Sequence, residues 1–375
     1  MSGFGWLHLT DLHVRFHGTL WQRPRFREEL ERDLTHIVEK TGSIDVIFVT
    51  GDLALLGLEG EFDMVTEGLA SLCDFLGKKG SRPTVLAVPG NHDLVRTSPA
   101  AAADPASWET DSKARETFFS DSMHPLRMAT ATAFTPFSRW FRTFREKHPG
   151  DADVTIHPGL LPGDFVATLH KKDRRFAFAG LNTAYLELAG HNAFGAIDLD
   201  PRQLVTSAGP LDDFVRSHDG AVLLTHHQPA ALSAGARDRL LKTIAPPARF
   251  ALHLAGSLRG APPSIDASHA TLFVGYPFSG NIDSDAKRGY CAGRLELDGN
   301  GNAVVISLWP RVLSFAKREP YFGPDPAFGP YECVVRTMPL AHSRRPTIAA
   351  TQAPPADTDK SEYRRLERTV TVESV

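Results

Sequence analysis

Acidic, amide and imidazole side chains follow four apolar segments of the chain, each within a few residues of the segment's end. Oxygen and nitrogen donors of this kind bind hard to borderline divalent cations. Glycines beside several of them allow tight turns and a close approach of a ligand to the main chain. These residue types therefore predict a metal site assembled from distant parts of the chain. The donors are Asp11 and His13, Asp52 after Gly51, Asn91, His92 and Asp93 after Gly90, and the pair His226-His227.

The spacing within each motif predicts which side chains act together. Asp11 and His13 are two residues apart, and on an extended chain such residues project to the same side. Adjacent residues on an extended chain project to opposite sides, so only one of His226 and His227 is expected to be a ligand. Any of these residues alone is more typical of a turn, a helix cap or a hydrogen-bonded core histidine. The prediction depends on their ordered series.

Short apolar segments position these donors, and the pattern predicts that they are strands. Near-continuous apolar runs suit strands that are buried on both faces. Residues 23–42 and 59–80 have the apolar spacing of amphipathic helices, with Pro24 near the first start and Gly42 at its end. Alternating strands and helices predict a layered α/β fold with ligands at the carboxyl ends of the strands. The predicted strands are 4–10, 44–50, 84–90, 176–182, 221–227, 250–256 and 271–275, followed by a hairpin around 298–302.

The ordered motifs resemble the calcineurin-like metallophosphoesterase superfamily over about residues 4–310. The series runs Asp-x-His, Gly-Asp, Gly-Asn-His-Asp and, at 226–229, His-His-Gln-Pro. It is most similar to the bacterial cyclic-nucleotide-phosphodiesterase-like branch. The resemblance implies an α/β fold of the four-layer αββα sandwich type, with two sheets packed between helices. It also implies two divalent metal ions, chosen from Mn²⁺, Fe²⁺/Fe³⁺ and Zn²⁺, which activate a hydroxide for attack on phosphorus.

The same resemblance implies a role for each donor. His92 would contact the leaving group, and Asp93 would either orient His92 or serve the turn. Asn91 and His92 would also contact the substrate, whose class would be a cyclic nucleotide or another phosphodiester. The implied metal ligands are Asp11 and His13 for one cation, Asn91 and His226 for the other, and Asp52 as the bridge between them.

The chain departs from the family pattern in two motifs. Leu55 stands where many members have a polar partner for His92. More important, the chain reads Gly256-Ser257-Leu258-Arg259 where the family has Gly-His-x-His. A guanidinium has no lone pair and stays charged, so Arg259 cannot replace a histidine ligand, and a serine hydroxyl is a weak substitute for imidazole.

Three explanations of this departure stay open. Another histidine substitutes as a ligand: His269, His191 or His253, of which His253 lies on an apolar run that favours core packing. Alternatively, Arg259 binds the substrate phosphate directly, as guanidinium does, and one bound metal suffices. In the third explanation turnover has been lost and binding kept.

The composition of the chain limits its possible partners and its cellular compartment. The 375 residues carry a formal net charge of −3, so no basic field favours nucleic acid as the partner, although a local groove is not excluded. The three cysteines lack zinc spacing and fit a reducing compartment. No signal peptide and no membrane span is expected, and we predict a cytoplasmic location.

The chain is predicted to have one metallophosphoesterase domain over 1–340 and a flexible tail over 341–375, which is either a linker or a docking segment for a protein partner. Residues 95–150 form a predicted cap or insert. Its aromatic and basic stretch at 134–147 is either an amphipathic helix that covers the core or a cap that turns Arg139, Arg142, Arg145 and Lys147 towards substrate. The favoured function is a metal-dependent phosphoesterase with an altered metal site and reduced activity. The alternative is a catalytically impaired module that binds phosphate, a nucleotide or a protein partner.

Overall fold

The computed structural model describes residues 3–16, 23–96, 108–189, 195–256, 264–268, 271–275, 278, 288–316, 319–328 and 332–340. The strands in these ranges are β1 (Gly3–Leu9), β2 (Ile44–Thr50), β3 (Thr84–Val88), β4 (Asp153–Pro158), β5 (Phe165–Lys171), β6 (Arg174–Leu181), β7 (Gly220–Thr225), β8 (Leu252–Ala255), β9 (Ser264–Ser268), β10 (Thr271–Gly275), β11 (Gly289–Leu297), β12 (Ala303–Ala316), β13 (Glu319–Pro324) and β14 (Val334–Pro339). The α-helices are α1 (Pro24–Thr41), α2 (Glu59–Lys78), α3 (Ser112–Ser120), α4 (Pro125–Ala133), α5 (Thr135–Lys147), α6 (Arg202–Ala208), α7 (Leu211–Arg216) and α8 (Ala234–Arg239).

The described strands form two seven-stranded sheets. The first has the order β13-β12-β11-β1-β2-β3, with β14 also paired to the long strand β12, and the second has the order β4-β5-β6-β7-β8-β10-β9. Strands β1, β2 and β3 are parallel, and so are β6, β7 and β8. The carboxyl ends of each parallel set therefore meet at one edge of its sheet.

Three apolar clusters separate four layers. One cluster lies between the first sheet and helices α1, α2 and α5. A second lies between the sheets, where Phe4, Trp6 and Phe48 meet Phe176 and Phe178. A third packs α6, α7 and α8 on the second sheet. This αββα order confirms the predicted fold, and it follows from strands whose alternate side chains are apolar on both faces.

The predicted amphipathic helices are present where the sequence indicates them. Helix α1 begins with Pro24 and ends before Gly42, whose φ of 73° suits glycine. Strands β4, β5, β13 and β14 had no clear apolar run; β4, for example, is half-buried or exposed throughout. Among the described residues, no helix is long and apolar enough to cross a membrane.

Helix α5 covers the core rather than the ligand edge. Phe137, Trp140 and Phe144 are buried against the first sheet, and the Trp140 ring stacks on Phe62 of α2 at a centroid distance of 5.6 Å. On its polar face Arg139 pairs with Glu59 of α2 at 2.6 Å. These contacts support the core-covering interpretation of residues 134–147. The predicted tail at 341–375 lies outside the described residues.

Candidate metal centre

The loops that follow β1 and β2 are bonded to each other and bend through strained backbone. The Asp11 amide donates to the Gly51 carbonyl at 3.0 Å, and the His13 amide donates to the Asp52 carbonyl at 2.9 Å. Asp11, His13 and Asp52 have φ angles of 55°, 44° and 53°. The extended geometry expected for Asp11 and His13 is therefore wrong, although their side chains still converge. Left-handed non-glycine residues are uncommon and concentrate at functional sites.

Asp52 lies at the centre of the candidate ligands. Its Oδ2 is 3.7 Å from His13 Nε2 and 3.5 Å from His226 Nε2, and its Oδ1 accepts the His92 amide at 2.9 Å. Burial by itself would raise the pKa of Asp52, but His226 and His13 outweigh burial and lower that pKa. Positive charge beside this carboxylate therefore favours its ionised form, which is the form that a bridging ligand needs.

The described side chains form two overlapping groups around this carboxylate. Donor atoms of Asp11, Asp52 and His226 lie within 4.8 Å of one another, and so do those of His13, Asp52 and His92. The Oδ1 of Asn91 lies 3.2 Å from His226 Nε2, on the same side as the first group. Four strand ends from both sheets are thereby brought together, and the structure assembles all five predicted ligands.

His226 presents one ring nitrogen to this cluster. Its Nδ1 donates to the Thr50 carbonyl at 2.8 Å, so in the neutral ring Nε2 carries a lone pair that faces Asn91 Oδ1 and Asp52. A carbonyl that holds the second nitrogen is the usual support of a metal-binding histidine. Burial lowers the pKa of His226, but Asp52 and Asp11 outweigh burial and raise it. The oxygens of Asn91 and Asp52 thus converge on Nε2, where either a proton on the ring or a bound cation would satisfy them.

The donor set fits divalent cations. His13 Nε2 is 3.8 Å from Asp11 Oδ1 and 3.7 Å from Asp52 Oδ2, which is too long for hydrogen bonds. Two donors that each lie about 2.1 Å from one cation are separated by roughly 3–4 Å. The other nitrogen of His13, Nδ1, is buried and has no hydrogen-bond partner within the described ranges. Carboxylate, imidazole and amide oxygen donors together suit manganese, iron or zinc.

His92 faces the same space and is held by the main chain. Its Nδ1 donates to the Leu55 carbonyl at 2.8 Å, and its ring lies 4.9 Å from the His13 ring. The sequence predicted that His92 lacks a polar side-chain partner at position 55. The main-chain carbonyl of Leu55 supplies a hydrogen bond to His92 instead. Both Asp93 oxygens accept amides at 2.8 Å, from Ala54 and Gly90, so its contacts support the turn rather than His92.

Two glycines permit this close packing. A Cβ atom on Gly51, whose φ is 89°, would lie 2.5 Å from His226 Nδ1. A Cβ atom on Gly90 would lie 2.1 Å from Asp52 Oδ1. Both positions exclude any larger residue unless a ligand moves.

The remaining histidines near the site have other partners. His227 Nδ1 pairs with the Thr183 hydroxyl at 2.9 Å and His227 belongs to neither donor group, which agrees with the expectation that only one of the two adjacent histidines is a ligand. His253 is buried in β8, pairs with the Thr225 hydroxyl at 2.8 Å, and is a core residue as the sequence favoured. Burial lowers its pKa to about 3. Ser257, Arg259, His191 and His269 lie outside the described residues.

Arg96 supports the site but has no motif of its own. Its guanidinium donates to the Asn91 carbonyl at 2.9 Å and to the Glu187 carbonyl at 2.6 Å, which ties the Asn91 loop to the segment after β6. The carbonyls of Thr50 and Leu55 likewise hold His226 and His92. The sequence did not reveal Arg96 or the two carbonyls as parts of the site. Every one of these bonds ends on a main-chain carbonyl, and the residue type carries no signal for such an acceptor.

Comparison with known proteins identifies one family. A family model described as calcineurin-like phosphoesterase matches residues 6–256, more than half of the chain. No curated protein matches.

Three similar solved structures are remote from this chain in sequence. A candidate 5'-nucleotidase from Staphylococcus aureus, in complex with alpha-ketoglutarate, is 10% identical with a TM-score of 0.38, over 90% of this chain and 54% of that one. Purple acid phosphatase PPD1 from yellow lupin (Lupinus luteus) seeds is 10% identical with a TM-score of 0.42, over 82% and 52%. Vacuolar Protein Sorting 29 from Cryptosporidium parvum is 11% identical with a TM-score of 0.34, over 90% and 100%. The chain spans about half the length of the first two, and similarity this low assigns no activity.

Proposed function

Because the chain belongs to the calcineurin-like phosphoesterase family, whose members hydrolyse phosphoesters with divalent metal ions, we propose that it is a metal-dependent phosphodiesterase. The observation that carries the proposal is the position of Asp52, whose carboxylate lies within 4.8 Å of donor atoms from Asp11, His13 and His226, three of the implied metal ligands. A carboxylate shared by two groups of donors is what a two-metal site requires.

The proposed ligands divide as the motifs imply. Asp11 and His13, whose donor atoms are 3.8 Å apart, would hold one cation, and Asn91 and His226, 3.2 Å apart, would hold the other. Asp52 would be shared between them, and His92, although its ring lies beside Asp52 and His13, would contact the substrate rather than a cation. When bound, the two cations would supply a water of lowered pKa and neutralise the phosphate oxygens. Thr50 orients His226 through its carbonyl, so that Nε2 rather than Nδ1 faces the site.

His92 is proposed to act on the leaving group. The Leu55 carbonyl accepts from Nδ1, which leaves Nε2 directed at the space beside Asp52. A protonated ring in this orientation donates from Nε2 to the departing oxygen. His92→Gln is therefore expected to lower turnover on the order of 100-fold while the metal content stays unchanged. Loss of metal from this variant would contradict the assignment.

Metal content and hydrolysis together test the main proposal. Protein purified with manganese or iron available is expected to contain up to two ions per chain and to hydrolyse bis(p-nitrophenyl) phosphate with Mn²⁺. Asp52→Asn should abolish both, whereas Asp63→Asn, at an exposed position on α2, should abolish neither. Near-zero metal in the unaltered protein, with no hydrolysis, would refute the proposal.

The departure at Ser257 and Arg259 favours a second candidate, a module that binds phosphate or a nucleotide without turnover. In this case Arg259 would contact the phosphate in place of a metal. The double change Ser257→His and Arg259→His discriminates between the two. A rise in metal content and turnover indicates an enzyme with a depleted site, whereas nucleotide or phosphate binding with no gain in turnover supports the binding module.

A further inference from the structure

Four of the large apolar side chains that are exposed in the described ranges lie in the loops that carry the candidate ligands. Phe16 is 52% exposed, Leu56 59%, Leu58 38% and Val95 39%. We call these four residues the apolar rim. Scattered exposed apolar residues are ordinary, but a group beside a polar site is typical of a ligand-binding surface. The other exposed ones lie on or between α3 and α4 or on the β12–β14 strands, and they are Met123, Met128, Phe315, Tyr321 and Val335.

The apolar rim is close to the ligands along the chain. Phe16 follows His13 by three residues, and Val95 follows His92 by three. Leu56 and Leu58 follow Leu55, whose carbonyl holds the His92 ring at 2.8 Å. Three residues of extended chain span at most about 11 Å, which is roughly the reach of an organic group bonded to a phosphate.

The loops of the rim also contact one another. The Leu55 amide donates to the Val14 carbonyl at 3.1 Å, which joins the first loop to the second. A Cβ atom on Gly57 would lie 2.4 Å from the Leu94 carbonyl carbon, which joins the second loop to the third. A Cβ atom on Gly60 would lie 2.9 Å from two atoms of the Phe16 ring, so this ring is packed on the first turn of α2. The loops that carry the four side chains are therefore joined to one another, and one of them also holds His92 through the Leu55 carbonyl.

We propose that the apolar rim binds an apolar group esterified to the substrate phosphate. The inference rests on the proposed function, and it narrows the substrate class to phosphoesters of a hydrophobic alcohol or phenol. His92 lies beside Asp52 and is bonded to the carbonyl of Leu55, the residue before Leu56, so an organic group on the His92 side of the phosphate would be near the rim. Burying these side chains against an apolar group removes both surfaces from water, whereas an unsubstituted phosphate or a sugar leaves them exposed.

Calorimetric titration of phosphonates into the Mn²⁺-loaded full chain tests the inference without any turnover. Methylphosphonate reports on the metal centre alone, and butylphosphonate adds three methylenes that reach the rim. Each fully buried methylene strengthens binding by about fourfold, so with half of that burial the three methylenes of the butyl compound should tighten binding about eightfold. This ratio of dissociation constants should approach one in Leu56→Ser and in Val95→Ser. It should stay near the unaltered value of about eightfold in the matched control Val335→Ser, whose side chain is 53% exposed on β14.

Each outcome has one meaning. If methylphosphonate binds and butylphosphonate binds no more tightly, the rim inference is overturned while the proposed function stands. A butyl preference that survives in both rim variants overturns it as well. If no phosphonate binds to metal-loaded protein, the proposed function fails and the rim inference with it. The unaltered chain could instead be a dimer that becomes a monomer in the rim variants, with butylphosphonate binding no more tightly than methylphosphonate. That outcome also overturns the inference, because the rim would then be an interface between two copies of the chain.

Discussion

A single methyl group at Gly90 is expected to disable the metal centre while leaving the fold in place. The Cβ atom of Gly90→Ala would lie 2.1 Å from Asp52 Oδ1, whereas ordinary contact begins at 3.4 Å, so these atoms must separate by about 1.3 Å. The same atom would lie 2.5 Å from the Asp52 amide nitrogen, so rotation of the carboxylate alone does not relieve the clash. The Asp52 loop has to move, and the bond from the His92 amide to Oδ1 is expected to break.

The magnitude follows from this displacement. A misplacement of about 1 Å in a catalytic group lowers the rate on the order of 100-fold, which corresponds to about 2.7 kcal/mol of transition-state stabilisation. Because Asp52 belongs to both groups of donors, the affinity for each of two Mn²⁺ ions should weaken, rather than the affinity for one ion alone. Overpacking should lower the free energy of unfolding of the metal-free protein by about 1–3 kcal/mol. This loss is smaller than the total free energy of unfolding of a typical domain, so the variant should still fold.

The assay combines metal titration, hydrolysis of bis(p-nitrophenyl) phosphate and urea unfolding of the metal-free protein. Gly77→Ala is the matched control, since nothing lies within 4 Å of a Cβ atom at that position of α2. It should keep metal affinity and raise the free energy of unfolding by about 0.5–1 kcal/mol, because alanine favours the helix. If Gly90→Ala binds two Mn²⁺ ions with unaltered affinity, Asp52 is not the shared ligand.

Three further outcomes test other parts of the structure. Arg311 and Tyr290 both bond to the buried Asp33, so Arg311→Met, which leaves that charge unpaired, should lower the free energy of unfolding by about 3–5 kcal/mol. Tyr290→Phe should lower it by only about 1–2 kcal/mol, and equal losses in urea unfolding would contradict this account. Burial disfavours the charged form of His226, but Asp52 and Asp11 outweigh burial and raise its pKa. As the pH falls through that pKa the ring gains a proton, and a cation has to displace this proton in order to bind. Mn²⁺ affinity should weaken by up to about tenfold per pH unit below that pKa, and a flat profile between about pH 8 and pH 6 would refute the role of His226. Arg139→Ala should leave turnover unchanged in the hydrolysis assay because its side chain pairs on the outer face of α5, and a large loss would restore the cap interpretation.

Much of the fold was predictable because its signals are local. The apolar segments at 44–50 and 84–90 became β2 and β3 nearly unchanged, and Pro24 and Gly42 delimit α1 as their backbone preferences require. Strand β4 was not predictable from its side chains, which are not buried. It forms because β5 offers it an antiparallel partner, and that pairing is decided by the sheet.

For the candidate site, too, some features were predictable from the sequence and others were not. The ligand types at Asp11, Asp52 and His226 were readable from the sequence, because each follows an apolar strand and its chemistry belongs to its own side chain. The left-handed backbone at Asp11 and Asp52 was not readable, and the extended geometry expected for the first motif was wrong. That strain persists because bonds from neighbouring loops hold it.

By itself, the sequence determined the identity and order of the donors and the layered fold that carries them. Only the tertiary structure decided which atoms meet. His226 is held by a carbonyl 176 residues away, and it faces an amide oxygen 135 residues away at 3.2 Å. Such distances depend on the register of two sheets packed face to face, and a shift of one residue in either would separate the donors by about 3 Å. A metal centre needs tenths of an ångström, and non-local packing supplies that precision.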